Sequence, residues 1–477
     1  MIVDELNYRI RQAFGFPLTA EQAEALACFT RFLTDREPQT VMVLRGSAGT
    51  GKTTLASAIV RGLVSLRQKL VLLAPTGRAA KVLSLNAGQP AYTIHRRIYR
   101  QQTAADLSAF SLNDNLHSDT LFIVDEASMI SNQGYGDGAF GSGFLLDDLM
   151  HYVYQGQRCR LMLIGDGAQL PPVGEEESPA LLAPVLRAYG MKVYEATLSE
   201  VLRQSQESGI LYNATQVRQL ITHDALTRLP QVQLQGFDDV SVVPGDELIE
   251  QLATSYSRAG LDDTIVITRS NKRAIIYNEG IRRTVLDRDE LLCRGDRLMI
   301  VKNNYFWAIE EQGNKTNFLA NGDVAVVQRV RHVHEQYGFH FADVTLLFPD
   351  YGDYEQTCTV LLDALSAESP ALTREQQQLL YERVMADYAD VPLKADRLKQ
   401  LKQDRYYNAL QVKFAYAVTC HKAQGGQWAH VYIDQGYMTD DMLTPDYLHW
   451  LYTAFTRATG HLYLVNWPRT QLAPASS

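Results

Sequence analysis

The 477-residue chain predicts an α/β fold: a parallel-sheet domain, followed by a second α/β domain interrupted by a β-module. Three observations predict it. The apolar run VMVL at 41–44 leads into GSAGTGKT at 46–53 and then into a helix-like stretch over 54–66. Strand, Gly-rich turn and helix in that order form the context of a phosphate-binding loop. Further apolar runs, KLVLLA at 69–74, LFIV at 121–124 and RLMLIG at 160–165, alternate with helical patterns. Continuous apolar runs are what strands buried on both faces of a parallel sheet look like. Residues 295–350 then change to short strands and turns, before the α/β pattern resumes at KFAYAV (413–418) and HLYLV (461–465).

Bulk properties narrow the class. A composition 46% hydrophobic and 21% charged is that of a globular protein, and the length exceeds one ordinary core. The net charge of -9 argues against a uniformly basic nucleic-acid binder, although a local groove can be basic in an acidic protein. Cys28, Cys159, Cys293, Cys358 and Cys420 are scattered and form no CxxC pair. That pattern predicts buried thiols and a cytoplasmic protein. No apolar run approaches membrane-spanning length and the N-terminal MIVDELNYRI does not read as a signal peptide, so no membrane partner is expected.

Taken in order, the elements carry the following chemistry. Residues 1–34 read as helical, with Thr19 and Gln22 at capping-box spacing. In the loop Gly46, Ser47, Ala48, Gly49, Thr50, Gly51, Lys52 and Thr53, with Thr54 behind it, the glycines let backbone N–H groups turn toward phosphate oxygens. The following helix N-terminus adds positive potential. Lys52 is expected to reach the β- and γ-phosphates of ATP and Thr53 to ligand Mg²⁺. LFIV ends in Asp125 and Glu126, at the strand end where such sheets place ligands. Asp125 is the expected second Mg²⁺ partner and Glu126 the base for the attacking water. Gln169, in GDGAQLPP, suits a γ-phosphate sensor because an amide both donates and accepts; the alternative is a proline-stiffened turn. Arg203 and Arg457 are isolated arginines, either surface charges or arginine fingers from a second domain.

Read together, LTAEQ (18–22), GSAGTGKT, APTGRAA (74–80), TIH (93–95), VDEAS (124–128), GDGAQLPPV (165–173), LSEVLRQ (198–204), VTCHKAQG (418–425) and YTAFTRA (452–458) resemble the ordered motifs of superfamily 1 helicases. PTGRAA, TIH, QLPPV and HKAQG look most like the RecD/Dda branch. The resemblance implies two RecA-like P-loop NTPase domains with ATP between them, an inserted SH3-like β-barrel module, and 5′→3′ movement on single-stranded DNA. It implies a first domain over 1–200, including a short pin excursion at about 100–118. A second domain would span 201–294 and 407–477, and the module 295–406. It assigns Gln22 to adenine, and Pro75, Thr76, Arg78, Thr93, His95, Thr419, His421 and Gln424 to the strand. Phe110, the one aromatic in the excursion, is either the wedge at a single-strand/duplex junction or a loop residue tucked against its own domain. A monomer is the expected working form. Competing expectations are a translocase or RNA helicase that separates no DNA strands, and a nucleotide-gated AAA+-like switch.

Overall fold

The computed structural model describes residues 2–103, 106–134, 141–201, 207–223, 229–307, 309–311, 314–316 and 319–474. The first α/β domain is built on six strands in the spatial order Ala91–Thr93, Lys69–Ala74, Thr120–Val124, Arg160–Gly165, Thr40–Gly46 and Lys192–Leu198, with parallel pairing throughout. Its central strands are sealed on both faces. Met42, Leu44, Leu72, Ile123 and Met162 meet the helices Ile2–Phe14, Ala20–Thr34 and Lys52–Ser65 on one side. Val41, Val43, Phe122, Val124 and Leu161 meet the helix Leu145–Gln155 on the other. This double burial is why these strands read as unbroken apolar runs. Thr19 and Gln22 close a reciprocal capping box at the start of Ala20–Thr34.

The second α/β domain has five parallel strands in the order Ala417–Thr419, Thr264–Thr268, Trp428–Asp434, Ala458–Val465 and Val240–Val243. Its core takes in the helices Gly209–Thr222 and Pro445–Phe455. The module is a closed five-stranded barrel of Arg297–Ile300, Val324–Gln336, Phe339–Phe348, Tyr354–Leu361 and Leu410–Phe414. The helices Arg374–Asp387 and Lys394–Gln403 are inserted before its last strand.

That last strand changes one sequence reading. The run at 413–418 is not a single strand of the second sheet: Leu410–Phe414 closes the barrel, and only Ala417–Thr419 joins the sheet. The module therefore extends past 406. Asn278 fixes the crossover. Its Nδ2 donates to the carbonyls of Phe414 (3.2 Å) and Ala417 (2.8 Å), and its Oδ1 accepts from the N–H groups of Tyr416 (3.0 Å) and Ala417 (2.8 Å). A buried side-chain amide thus replaces the ladder bonds that the turn interrupts, which periodicity alone does not reveal.

In the 100–118 region, Tyr99–Thr103 and Asp106–Leu112 form an antiparallel hairpin with Gln101 opposite Phe110. The inserted helix Lys394–Gln403 packs against its second strand. The Phe110 side chain lies outside the described residues. Among the described residues, no helix is long and apolar enough to cross a membrane.

Candidate nucleotide site and adjoining cavity

The phosphate loop turns through Gly49 (φ 77°) and Gly51 (φ 76°) into the helix that begins at Lys52. Both are in the left-handed region that only glycine adopts freely. A Cβ at Gly49 would also meet Val201 and Leu211 at 3.3 Å, so chain beyond the first sheet lies directly on the loop. Thr53 and Thr54 follow on the exposed face of the helix. Beside the loop, Asp125 donates its N–H to the Leu73 carbonyl (3.0 Å), and its Oδ1 accepts from the Glu126 N–H (2.9 Å). Burial pushes the Asp125 carboxyl up, the Glu126 charge adds to this, and Lys52 opposes it. Glu126 is held at φ 53°, uncommon for a non-glycine and characteristic of functional sites. Its Oε2 is buried with no hydrogen-bond partner.

These features suit a hard cation. Two adjacent carboxylates, one pushed up and one with an orphaned oxygen, are relieved by Mg²⁺, which needs one or two protein oxygens and takes the rest from water and phosphate. Asp125 and the Thr53 hydroxyl are the residues that would hold it. Among the described residues, no group of three or more His, Cys, Asp or Glu offers an all-protein metal cage.

Gln22 sits beside the phosphate loop. Its Oε1 accepts from the Thr19 N–H (3.1 Å), its Nε2 donates to the Thr50 carbonyl (3.0 Å), and it is 1% exposed. The amide braces the phosphate loop from a buried position. Gln169 is buried, with its Oε1 unpartnered. Arg203 lies outside the described residues. Arg457 turns its donors to its own domain. It is 3% exposed and donates within the second domain to the carbonyls of Thr453 (3.1 Å) and Gly426 (3.2 Å) and to Thr456 Oγ1 (3.3 Å).

Two residues that sequence reasoning did not single out do reach the loop. The Tyr452 hydroxyl accepts from the Ala48 N–H (2.9 Å) and donates to Asp166 Oδ2 (2.6 Å). Arg218 donates to Ser47 Oγ and to the Ser199 carbonyl. Tyr452 opens the YTAFTRA motif, so a signal existed for it. Arg218 sits in an unremarkable helical stretch, and only the fold places it.

The loop Asp166–Leu170 leads from this pocket to a second one. Leu170 N–H donates to Thr453 Oγ1 (2.7 Å), the Leu170 carbonyl accepts from Gln424 Nε2 (2.6 Å), and the Ala168 carbonyl contacts His449 Nδ1 (3.0 Å). Gln424 also lines a cavity of about 170 Å³ where the two α/β domains and the barrel meet. Thr76, Arg78, Arg297, His421, Lys422 and Trp428 share its wall. The Arg78 guanidinium lies 4.1 Å from the Trp428 ring centroid. Lys422 donates to Asn321 Oδ1, and burial lowers its ammonium to about 8. Burial, then the neighbouring Arg78, lowers Arg297 to about 10.

Not every residue assigned to the strand lines this cavity. Thr76 does, while also capping the helix Gly77–Ala87 through the Ala79 N–H (3.2 Å). Thr419 lines a smaller adjoining cavity with Lys413. Thr93 is buried as the cap of Ile94–Ile98, and burial lowers the His95 ring to about 4. Neither Thr93, His95 nor Pro75 is part of the wall. Arg297 and Lys422 went unassigned, Arg297 because nothing local shows that a barrel strand faces APTGRAA.

Comparison with known proteins follows this division. A family described as an AAA domain matches residues 17–232, and one described as a UvrD-like helicase C-terminal domain matches 414–465. The ATP-dependent DNA helicase dda of Enterobacteria phage T4 is 30% identical over 275 residues, 56% of this chain and 57% of that protein. The ATP-dependent RecD2 DNA helicase of Deinococcus radiodurans is 35% identical over 179 residues, 36% of this chain and 21% of that protein. The matched regions thus span little more than half of the first relative and about a fifth of the second. A Pif1 helicase from Bacteroides solved bound to ssDNA aligns over 96% of this chain and 95% of its own, at 14% identity and a TM-score of 0.47. In its matched regions the chain is similar to superfamily 1 helicases of the RecD/Dda type.

Proposed function

We propose that this protein is an ATP-dependent DNA helicase that moves 5′→3′ along single-stranded DNA and separates duplex ahead of it. The observation that carries the reading is the physical link between the two pockets. The Ala48 N–H, in the phosphate loop, is bonded to Tyr452, Tyr452 to Asp166, and four residues later Leu170 is bonded to Gln424 in the cation-lined cavity. A change at the phosphates therefore bears on the residues around the strand through one short loop. Such coupling needs contacts that differ between ligand states.

In this reading Lys52 and the loop N–H groups would hold the ATP phosphates, and Thr53 and Asp125 would hold Mg²⁺, which would supply charge neutralisation at the phosphates. Glu126 takes a proton from the attacking water, with Oε2 free to accept it. Gln169, its Oε1 likewise free, orients that water. Arg78, Arg297 and Lys422 neutralise strand phosphates, and Trp428 offers a ring for a base once Arg78 moves onto phosphate. The hairpin Tyr99–Thr103 and Asp106–Leu112 is the proposed separating element at a single-strand/duplex junction, with Phe110 as its wedge. The working form is proposed to be a cytoplasmic monomer.

The test is unwinding of duplexes carrying a 5′ or a 3′ tail, in DNA and RNA versions, with ATPase followed in parallel. ATP-dependent opening of the 5′-tailed DNA supports the proposal. Opening of the 3′-tailed substrate alone reverses the polarity, and preference for RNA changes the substrate. Strand-stimulated ATPase without opening leaves a translocase. Phe110→Ala should lose unwinding while keeping strand-stimulated ATPase.

A further inference from the structure

The second domain touches the phosphate loop through an arginine that belongs to none of the family-like motifs. Arg218 is on the helix Gly209–Thr222, whose Ile210, Ala214 and Val217 share a core with Leu448, Leu451 and Leu462 of the second domain. That helix also lies against the loop, since Leu211 would meet a Cβ at Gly49 at 3.3 Å. The guanidinium donates to Ser47 Oγ, and both Nη atoms donate to the Ser199 carbonyl (3.2 Å each). Ser199 is itself held in place by Glu21, whose carboxylate accepts from the N–H groups of Ser199 (2.6 Å) and Glu200 (2.9 Å). So Arg218 is anchored at its rear by a carbonyl and presents a charged donor to the second residue of the loop. No carboxylate forms an ion pair with it among the described residues.

We propose that Arg218 is a γ-phosphate-sensing arginine: when ATP binds, its guanidinium leaves Ser47 Oγ for a γ-phosphate oxygen and keeps its hold on the Ser199 carbonyl. A charged phosphate oxygen is a stronger acceptor than a serine hydroxyl, so the exchange favours the ATP-bound arrangement of the two domains. ADP lacks that oxygen, and the arginine stays on Ser47. Arg457 is engaged with Thr453, Gly426 and Thr456 and Arg203 lies outside the described residues, so Arg218 is the described arginine that donates to the loop. The proposal rests on the nucleotide-site half of the reading above and is independent of which strand, if any, the protein unwinds.

The test compares Arg218→Gln and Arg218→Lys with wild type, using equilibrium binding of ADP and of a non-hydrolysable ATP analogue, and steady-state ATPase without nucleic acid. Gln can keep the Ser199 bond but not the charge. Affinity of Arg218→Gln for the ATP analogue should fall ~10-fold or more while ADP affinity stays within about twofold, and kcat should fall ~10³-fold, as for loss of an arginine finger. Arg218→Lys should recover part of the ATP preference. Equal losses for ADP and the ATP analogue would show that Arg218 only braces the loop, and a wild-type kcat in Arg218→Gln would remove the role altogether. If Arg218→Gln fails to fold, Arg218→Lys decides: a retained preference for the ATP analogue supports the proposal, and equal loss for both nucleotides overturns it. Wild type that separates ATP from ADP yet never responds to DNA would sink the helicase reading and leave this one standing.

Discussion

The nucleotide pocket and the central cavity are built on the same principle with opposite sign. In the pocket, two adjacent carboxylates are held where burial and mutual repulsion push Asp125 up and leave Glu126 Oε2 without a partner. In the cavity, Arg78, Arg297 and Lys422 are crowded until burial pulls all three down. In the proposed function each site's unfavourable electrostatics would be relieved by its ligand, a cation with its nucleotide in one and a polyanion in the other. They differ in construction. The pocket's phosphate loop and carboxylates come from strand ends of one sheet, with Tyr452 and Arg218 of the second domain reaching the loop, whereas the cavity draws its wall from two α/β domains and a barrel. If the proposed function holds, the difference teaches that chemistry on the reacting phosphate is set mainly by one sheet, while grip on a strand depends on how the domains stand against one another. That is the property a motor has to vary.

The largest effect should come from Lys52→Ala. It removes the one ammonium at the phosphates and should abolish hydrolysis, by ~10³-fold or more, while the cavity still binds single strands in an anisotropy titration. Hydrolysis within a few-fold of wild type would break the contrast at its root. Glu126→Gln comes next. The amide cannot take the proton, so turnover should fall ~10²- to 10⁴-fold with ATP affinity retained. Poor binding and normal turnover of what is bound would give Glu126 another role.

Arg297→Ala tests the other side. Strand affinity should drop, and the slope of log affinity against log salt should lessen by about 1, as for one lost phosphate contact. A loss of ATP binding as large as the loss of strand binding would erase the distinction between the sites.

The smallest effects sharpen the comparison through pH. A carboxyl raised in the folded state costs stability most at high pH, and that cost fades as pH falls into the ordinary carboxylate range. Asp125→Asn should therefore stabilise the nucleotide-free protein on the order of 1 kcal/mol at neutral pH and lose that advantage on acidification. Lys422 is lowered to about 8 from the ordinary lysine value of 10.5, so its cost is full below pH 8 and fades toward pH 10.5. Lys422→Met should show its stabilisation at neutral pH and lose it on the alkaline side. Thermal melts across pH that move the same way for both variants would contradict the opposite-sign account.

By itself the sequence determined whatever depends on neighbours along the chain. GSAGTGKT dictates its own turn because glycines must take the positive φ at 49 and 51. LFIV followed by Asp125 and Glu126 announces a buried strand and its carboxylate end. The capping box at Thr19 and Gln22 reports a helix start, and the change to short strands after 295 reports a barrel. What the tertiary structure alone decided depends on groups distant in sequence meeting in space. Gln22 braces Thr50 because the helix it starts packs beside the loop. The run at 413–418 is split between barrel and sheet because Asn278, well over a hundred residues earlier, supplies its missing hydrogen bonds. Arg457 bonds within its own domain while Arg218 reaches Ser47 of the phosphate loop, far away in sequence. No spacing rule carries such information, since residue patterns encode the faces of single elements and not the register in which separate domains are brought together.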